Sequence, residues 1–205
     1  MDLFGGKIDW NYTITDTPSG HAGLIQFQLG DMTLAAISAG PYFKLNESMS
    51  LMVNVASKDD VRRLYEALSD GGRILMPLAE YPFSPYYVWL EDRFGLSWQL
   101  SYEPDLDVPY SFDICLLFSQ DQVGLAQPML DYYKDKLPQA RLGRLSYYGE
   151  GEAAVAAAKL NYAELFIGDQ KIIAIDHGYG GVASFNEAFS LMVYVDSQEE
   201  ADSWY

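Results

Sequence analysis

Two stretches 140 positions apart spell nearly the same strand: LNESMSLMVNV at 45–55 and FNEAFSLMVYV at 185–195. From Asn46 to Ser57, eight of twelve residues equal their counterparts at 186–197. The echo also runs upstream, where Leu29-Gly30-Asp31 through Gly40 matches Ile167-Gly168-Asp169 through Gly178 at an offset of 138. A duplication of this length fixes the architecture before any single residue can be read, because each copy must form the same supersecondary unit.

Each copy reads as strand, tight turn, strand, loop, strand, helix. LIQFQLG-DM-TLAAIS and AELFIG-DQ-KIIAID are strand pairs joined at Gly-Asp, a dipeptide that short hairpins favour. In the strand that follows, side chains alternate faces. Leu51, Val53 and Val55 point one way and Ser50, Met52 and Asn54 the other; Leu191, Val193 and Val195 oppose Ser190, Met192 and Tyr194 in the second copy. One apolar face in both copies predicts a covering helix. Ser57 with Asp60, and Ser197 with Glu200, resemble capping boxes. Val61, Leu64, Tyr65 and Leu68 then recur at helical spacing, and Ala201, Trp204 and Tyr205 repeat the first three. Helical spacing alone makes these core residues.

Past the first helix, Arg73–Leu78 and Tyr86–Phe94 read as strands, and LSWQLSY alternates: Ser97, Gln99 and Ser101 on one face, Leu96, Trp98, Leu100 and Tyr102 on the other. EPDLDVP at 103–109 is a Pro- and Asp-rich linker. A fresh strand, Phe112–Phe118, leads to a helix around 125–136, with Pro128 in its first turn and Met129, Tyr132, Tyr133 and Leu137 near one stripe. MDLFGGKI looks like the tail of such a helix in the first copy. The domain expectation is therefore 1–102 for the first copy, lacking its first strand and most of its first helix. A linker follows at 103–110, and the second copy at 111–205 lacks its C-terminal strands. Either the chain is a piece of a longer tandem protein or another subunit supplies the missing strands; incomplete sheets leave backbone groups unpaired at an edge, so a homo-oligomer or self-pairing between copies is expected.

Composition excludes several roles. Half of the residues are apolar, a core-forming mixture. A formal net charge of −16, with 13 basic residues among 29 acidic ones, leaves no basic stripe for nucleic acid and disfavours anionic membranes. MDLFGGKIDW has no basic n-region or apolar h-region, and no window nears the roughly 20 apolar residues of a bilayer span. The expected location is cytoplasmic. Cys115, the single cysteine, sits in the apolar run FDICLLF and reads as a small core residue.

The stretch GGRILMPLAEYPFSPYYVWLEDRFGLSWQL at 71–100 resembles the PhnB-like branch of the vicinal oxygen chelate superfamily, which includes glyoxalase I, bleomycin-resistance proteins and extradiol dioxygenases. GPYF at 40–43, the strand SLMVNV before an acidic helix, and the ending W-x-x-D-R-F-G-x-S-W-Q carry the likeness, which covers nearly the whole chain in two registers. The resemblance implies an α+β fold: paired βαβββ modules forming cup-shaped mixed sheets with helices outside. It also implies metal positions on the first and last strand of each module. These fall at Ser50, Asp113 and Ser190, at Gln99 where glyoxalase-like relatives carry Glu, and near Ala36 and Ala174. A divalent cation needs several converging ligands, and Asp113 alone is a good one. A divalent metal is therefore disfavoured, and no other cofactor is expected.

The remaining candidates are few. His177 ends the strand KIIAIDHG beside a glycine turn, and is either a pocket residue or a surface turn; His21 lies in the loop PSGHAG. Neither histidine sits in a Ser-His-Asp or Cys-His order, and Cys115 has no evident activating base. Glu47 and Glu187, each after an asparagine and before a strand, could line the mouth of a cup or be solvated loop carboxylates. The branch is often labelled with ubiquinone methyltransferases, yet no Gly-rich strand-to-helix loop for a nucleotide-like cofactor appears, and YGEGEAAVAAAKL reads as a mobile loop.

The lining expected for a ligand is Ser50, Met52, Asn54, Ser97, Gln99, Ser101 and Asp113, with His177, Glu47 and Glu187 beside it. Such a mixed lining with few titratable groups suits a small apolar or aromatic molecule held by hydrogen bonds. The rival expectation is a metal-dependent lyase, isomerase or dioxygenase, which rests on fold analogy alone. A third is a second copy that serves as scaffold.

Overall fold

The computed structural model describes residues 3–202 except 19, 39, 41 and 138. Trp204 and Tyr205 of the expected helical stripe lie outside the described residues. The chain divides into two compact units, Met1–Leu117 and Phe118–Tyr205.

The first unit opens with an antiparallel meander of β1 (Lys7–Thr17), β2 (Gly20–Leu29) and β3 (Met32–Ile37). Residues 3–5 before it form a turn, not the tail of a helix. Gly30 opens the β2–β3 hairpin at φ +59°, the left-handed conformation that a tight strand reversal asks of its first central residue.

The unit continues as β4 (Met49–Val55), α1 (Lys58–Ser69), β5 (Arg73–Tyr81), β6 (Ser84–Glu91) and β7 (Ser97–Tyr102), a βαβββ module. Its strands pair in the order β5-β6-β7-β4, and β8 (Tyr110–Phe118) follows beside β4. The β4–β7 ladder is parallel and the β4–β8 ladder antiparallel. Leu51, Val53, Val88, Leu90 and Leu100 turn to one face and are buried with Val61, Leu64 and Leu68 of α1. The expected capping bond forms: Ser57 Oγ accepts from the Asp60 amide at 3.3 Å.

The second unit contains α2 (Ala126–Lys136) and a meander of β9 (Ala140–Tyr147), β10 (Leu160–Ile167) and β11 (Gln170–Asp176). Gly168 repeats Gly30 at φ +59°. Pro128 lies in the first turn of α2 as expected, but the buried stripe is Ala126, Leu130 and Leu137, while Tyr132 is exposed. Positions 126, 130, 133 and 137 trace a tighter helical line than 129, 132 and 133, and that line faces the sheet.

The largest departure lies at the second copy of the opening motif. Residues 189–195 form no strand, although their twin is the central β4, and only α3 (Gln198–Asp202) follows. The local signals survive: Ser197 Oγ accepts from the Glu200 amide at 3.1 Å, as Ser57 does for Asp60. A strand exists only through its ladder, and β4 has β7 and β8 on its two edges to supply one.

Candidate functional site

Alternation places the predicted lining on one face of the β5-β6-β7-β4-β8 sheet. In register, Ser50, Met52 and Asn54 of β4 oppose Ser97, Gln99 and Ser101 of β7 on one side. On the other side they oppose Cys115, Asp113 and Ser111 of β8. From β6, Tyr87, Trp89 and Glu91 oppose Ser101, Gln99 and Ser97. Seven of the ten sequence candidates thus share one surface: Ser50, Met52, Asn54, Ser97, Gln99, Ser101 and Asp113.

The face is a hydrogen-bonded layer, not a row of free donors. Tyr87 Oη donates to Gln99 Oε1 at 2.7 Å, and Gln99 Nε2 donates to Ser50 Oγ at 2.6 Å. Trp89 Nε1 donates to Ser97 Oγ at 2.8 Å. Asn54 Nδ2 reaches both Ser111 Oγ at 3.0 Å and Asp113 Oδ2 at 2.8 Å. Ser84 and Ser101 share a hydroxyl pair at 2.9 Å, and Ser101 Oγ also lies 3.1 Å from Glu103 Oε1. Buried polar groups are tolerated when paired in this way.

Burial governs the protonation of this layer. The Tyr87 phenol is pushed well above 10.0 by loss of solvent, with Cys115 and Tyr81 adding to the shift. Burial likewise pushes the Cys115 thiol from 9.0 up to about 11, against the opposing pull of hydrogen bonds from Gln99 and Ser50. Both groups are therefore neutral donors at neutral pH. Cys115 is buried as expected, but it belongs to the polar face and not to the apolar core beneath α1. Its position two residues after Asp113 carried that signal.

Aromatic rings roof part of the layer. Tyr81 and Phe83 stack at 5.5 Å, and each meets the Tyr87 ring edge-on, at 5.6 and 5.0 Å. Phe83 is 64% exposed, so this hairpin tip combines an open ring with a buried polar floor. Tyr87 and Trp89 were not among the expected lining residues. Their signal was the alternation of YYVWLE, in phase with SWQLSY, which becomes readable once the strand register is known.

The remaining candidates lie on other segments of the chain. Glu47 pairs with Arg73 at 3.6 Å, and Arg73 binds Glu91 at 2.8 Å. The bond to Glu91 leads the causes that raise the Arg73 guanidinium above its ordinary value. Glu47 is thus an ion-paired rim residue. Glu187, in the second unit, is exposed. The asparagines preceding these carboxylates do the same local work in both copies: Asn46 Oδ1 accepts from the Ser48 amide, and Asn186 Oδ1 from the Ala188 amide, each at 2.8 Å. His177 also lies in the second unit. Its amide donates to Phe118 O at 2.8 Å and its Nδ1 accepts from the Tyr179 amide at 3.2 Å, an arrangement that shapes a turn.

The stretch 148–160 is tied down by backbone bonds. Tyr148 donates to Lys159 O and Val155 to Gly178 O, both at 2.9 Å, and Asp176 receives the amides of Lys159 and Leu160 at 3.0 and 3.1 Å.

A metal fits this face poorly. Gln99 uses its oxygen to accept from Tyr87 and its nitrogen to bind Ser50, while Asp113 is bonded to Asn54. Among the described residues no group of three or more His, Cys, Asp or Glu converges. No helix among them is long and apolar enough to cross a membrane.

The family described as 3-demethylubiquinone-9 3-methyltransferase matches the chain twice, over residues 8–101 and 111–205. No curated protein matches. Among solved structures, a PhnB protein from Bacillus cereus is 29% identical over 50% of this chain and 84% of its own, with a TM-score of 0.45. Protein PA1353 from Pseudomonas aeruginosa is 27% identical over 50% and 82%, with a TM-score of 0.44. Glyoxalase I from Zea mays shares the fold at 16% identity and a TM-score of 0.59, over 90% of this chain and 63% of that one. The two matches together span most of the sequence: the chain belongs to the PhnB-like 3-demethylubiquinone-9 3-methyltransferase family, matched in two successive copies on the α+β fold of glyoxalase I and the vicinal oxygen chelate proteins.

Proposed function

We propose that the chain binds a small apolar or aromatic molecule over the polar face of β6, β7, β4 and β8, beneath the Tyr81–Phe83 tip. The observation that carries this reading is the Tyr87–Gln99–Ser50 relay, a buried chain of neutral donors and acceptors lying next to an exposed aromatic ring. Neutral hydrogen-bonding groups orient a ligand, and the ring supplies apolar contact. Acid–base chemistry would want a titratable group poised near neutrality, and Tyr87 and Cys115 are both held protonated instead. The glyoxalase-type reading, a metal-dependent lyase, isomerase or dioxygenase, would need converging ligands, and among the described residues no such group is found.

Calorimetric titration with phenol, indole and benzoate, each at millimolar concentration, tests the proposal. Saturable binding of at least one of them is expected, weakened roughly tenfold by Phe83→Ala through loss of ring contact. No saturable binding, or binding indifferent to Phe83, would overturn it.

A further inference from the structure

Cross-strand register sets a row of residues across the polar face. Tyr87 of β6 stands beside Ser101 of β7, Ser101 beside Asn54 of β4, and Asn54 beside Ser111 of β8. Neighbouring strands lie about 4.8 Å apart, so the backbones at Tyr87 and Asn54 are about 10 Å apart with only a serine between them. Tyr87 meets the Tyr81–Phe83 tip at one end of this row. The low step over Ser101 then leads to Asn54 at the other.

The Asn54 amide has a fixed orientation. Its Nδ2 donates to Ser111 Oγ at 3.0 Å and to Asp113 Oδ2 at 2.8 Å. Turned over, the amide would set Oδ1 against the Asp113 carboxyl, acceptor against acceptor. Asp113 is buried and so holds Asn54 Oδ1 away from itself. Among the described residues no donor reaches that oxygen. The buried side-chain oxygen left unpaired among them is Ser119 Oγ, so Asn54 Oδ1 is open to solvent.

The donors of the face are engaged inside it. Tyr87 Oη gives its proton to Gln99, Gln99 Nε2 donates to Ser50, and Trp89 Nε1 donates to Ser97. Charge tilts the same way, because the Arg73 guanidinium is taken up by Glu91 and Glu47. A carboxylate ligand would therefore meet acceptors where it needs donors.

We infer that this face selects aromatic molecules that carry a hydrogen-bond donor, an N–H or O–H, which Asn54 Oδ1 accepts while Asp113 positions the amide. The inference rests on the reading of the face as a site for small aromatic molecules and adds the polarity of the ligand. A ring without a donor covers Asn54 Oδ1 and leaves it unpaired, which costs affinity.

Calorimetric titration of the full chain with matched probes tests this: indole against N-methylindole, phenol against anisole, and benzoate as the anion. Methylation adds apolar area, so burial alone would favour the methylated member of each pair. The expected order is the reverse, with indole and phenol tighter by about tenfold and benzoate not saturable. Asn54→Leu should bring each ratio to about one while N-methylindole keeps its affinity, which also shows that the face is folded. Asp113→Asn should narrow each ratio to about threefold, because a neutral amide no longer fixes which end Asn54 presents. Equal affinities within the pairs, or benzoate tighter than phenol, overturn the inference and leave aromatic binding standing. Ratios that survive both substitutions overturn it as well. Absence of saturable binding by every probe overturns the aromatic reading and this inference together.

Discussion

Gln99 Nε2 donates to Ser50 Oγ at 2.6 Å across the parallel β7–β4 ladder, and this fixes the opposite end of the amide toward the Tyr87 hydroxyl. An amide suits this place because it must donate on one side and accept on the other. A carboxylate can only accept. Gln99→Glu should therefore lower stability at neutral pH by about 2 kcal/mol. The burial that raises the new carboxyl also makes the loss pH-dependent. The penalty is absent below the unfolded value, roughly 4.3, and grows as pH rises above it. Urea unfolding of both proteins across that range checks the sign, and a penalty that shrinks with rising pH would contradict the account.

The Cys115 thiol should be silent in the folded protein. It is buried, and its titration is displaced from 9.0 to about 11, so the reactive thiolate is scarce at neutral pH. A disulfide reagent such as Ellman's should label no thiol in the native chain and one per chain in denaturant. The same displacement makes the folded state lose stability as pH rises from 9.0 toward about 11, because the unfolded thiol gives up its proton first. Rapid native labelling would show that the face opens.

Asp176 holds the second unit together. Its Oδ1 accepts the amides of Gly124 and Ala126 at 2.8 and 3.4 Å, its Oδ2 those of Lys159 and Leu160, and the residue is fully buried. The corresponding residue in the first copy, Ser38, does a smaller version of this by accepting the Gly23 amide at 2.7 Å. Asp176→Ala strands four donors and should cost about 3 kcal/mol or more, and Ser38→Ala only about 1 kcal/mol. Chemical denaturation followed by the exchange of unit-two amides would read the difference.

Gly72 is required for a close backbone approach. A Cβ there would lie 2.2 Å from Glu91 O, at the start of the β5–β6 pair. Gly72→Ala should displace Arg73 from Glu91 and destabilise the chain by about 2 kcal/mol. Thermal unfolding measures the loss, and an unchanged melting temperature would mean that the hairpin shifts freely.

Much of this was legible from residues alone. Alternation in MSLMVNV and SWQLSY grouped Ser50 with Met52 and Asn54, and Gln99 with Ser97 and Ser101, each set on one side of its own strand, since a strand's period leaves no other choice. The duplicated Gly-Asp turns and serine caps formed where their chemistry required. Register between distant strands was not legible, so Tyr87, Trp89 and Cys115 could not be assigned to the same surface. The strand expected at 189–195 failed for a related reason: a sequence states the propensity for a strand, while only a neighbour supplies its hydrogen bonds. Alternation could not place His177 and Glu187, because loop residues before and after strands have no periodicity to fix their direction.

Side-chain N–H resonances give the most direct test of the ligand face. On titration with the tightest of the small aromatic molecules, the Gln99 amide and the Trp89 indole signals should shift together and saturate, and the shifts should fade in Phe83→Ala. Saturable shifts confined to β1–β3 or to the second unit, with the Gln99 and Trp89 signals unmoved, would contradict the account.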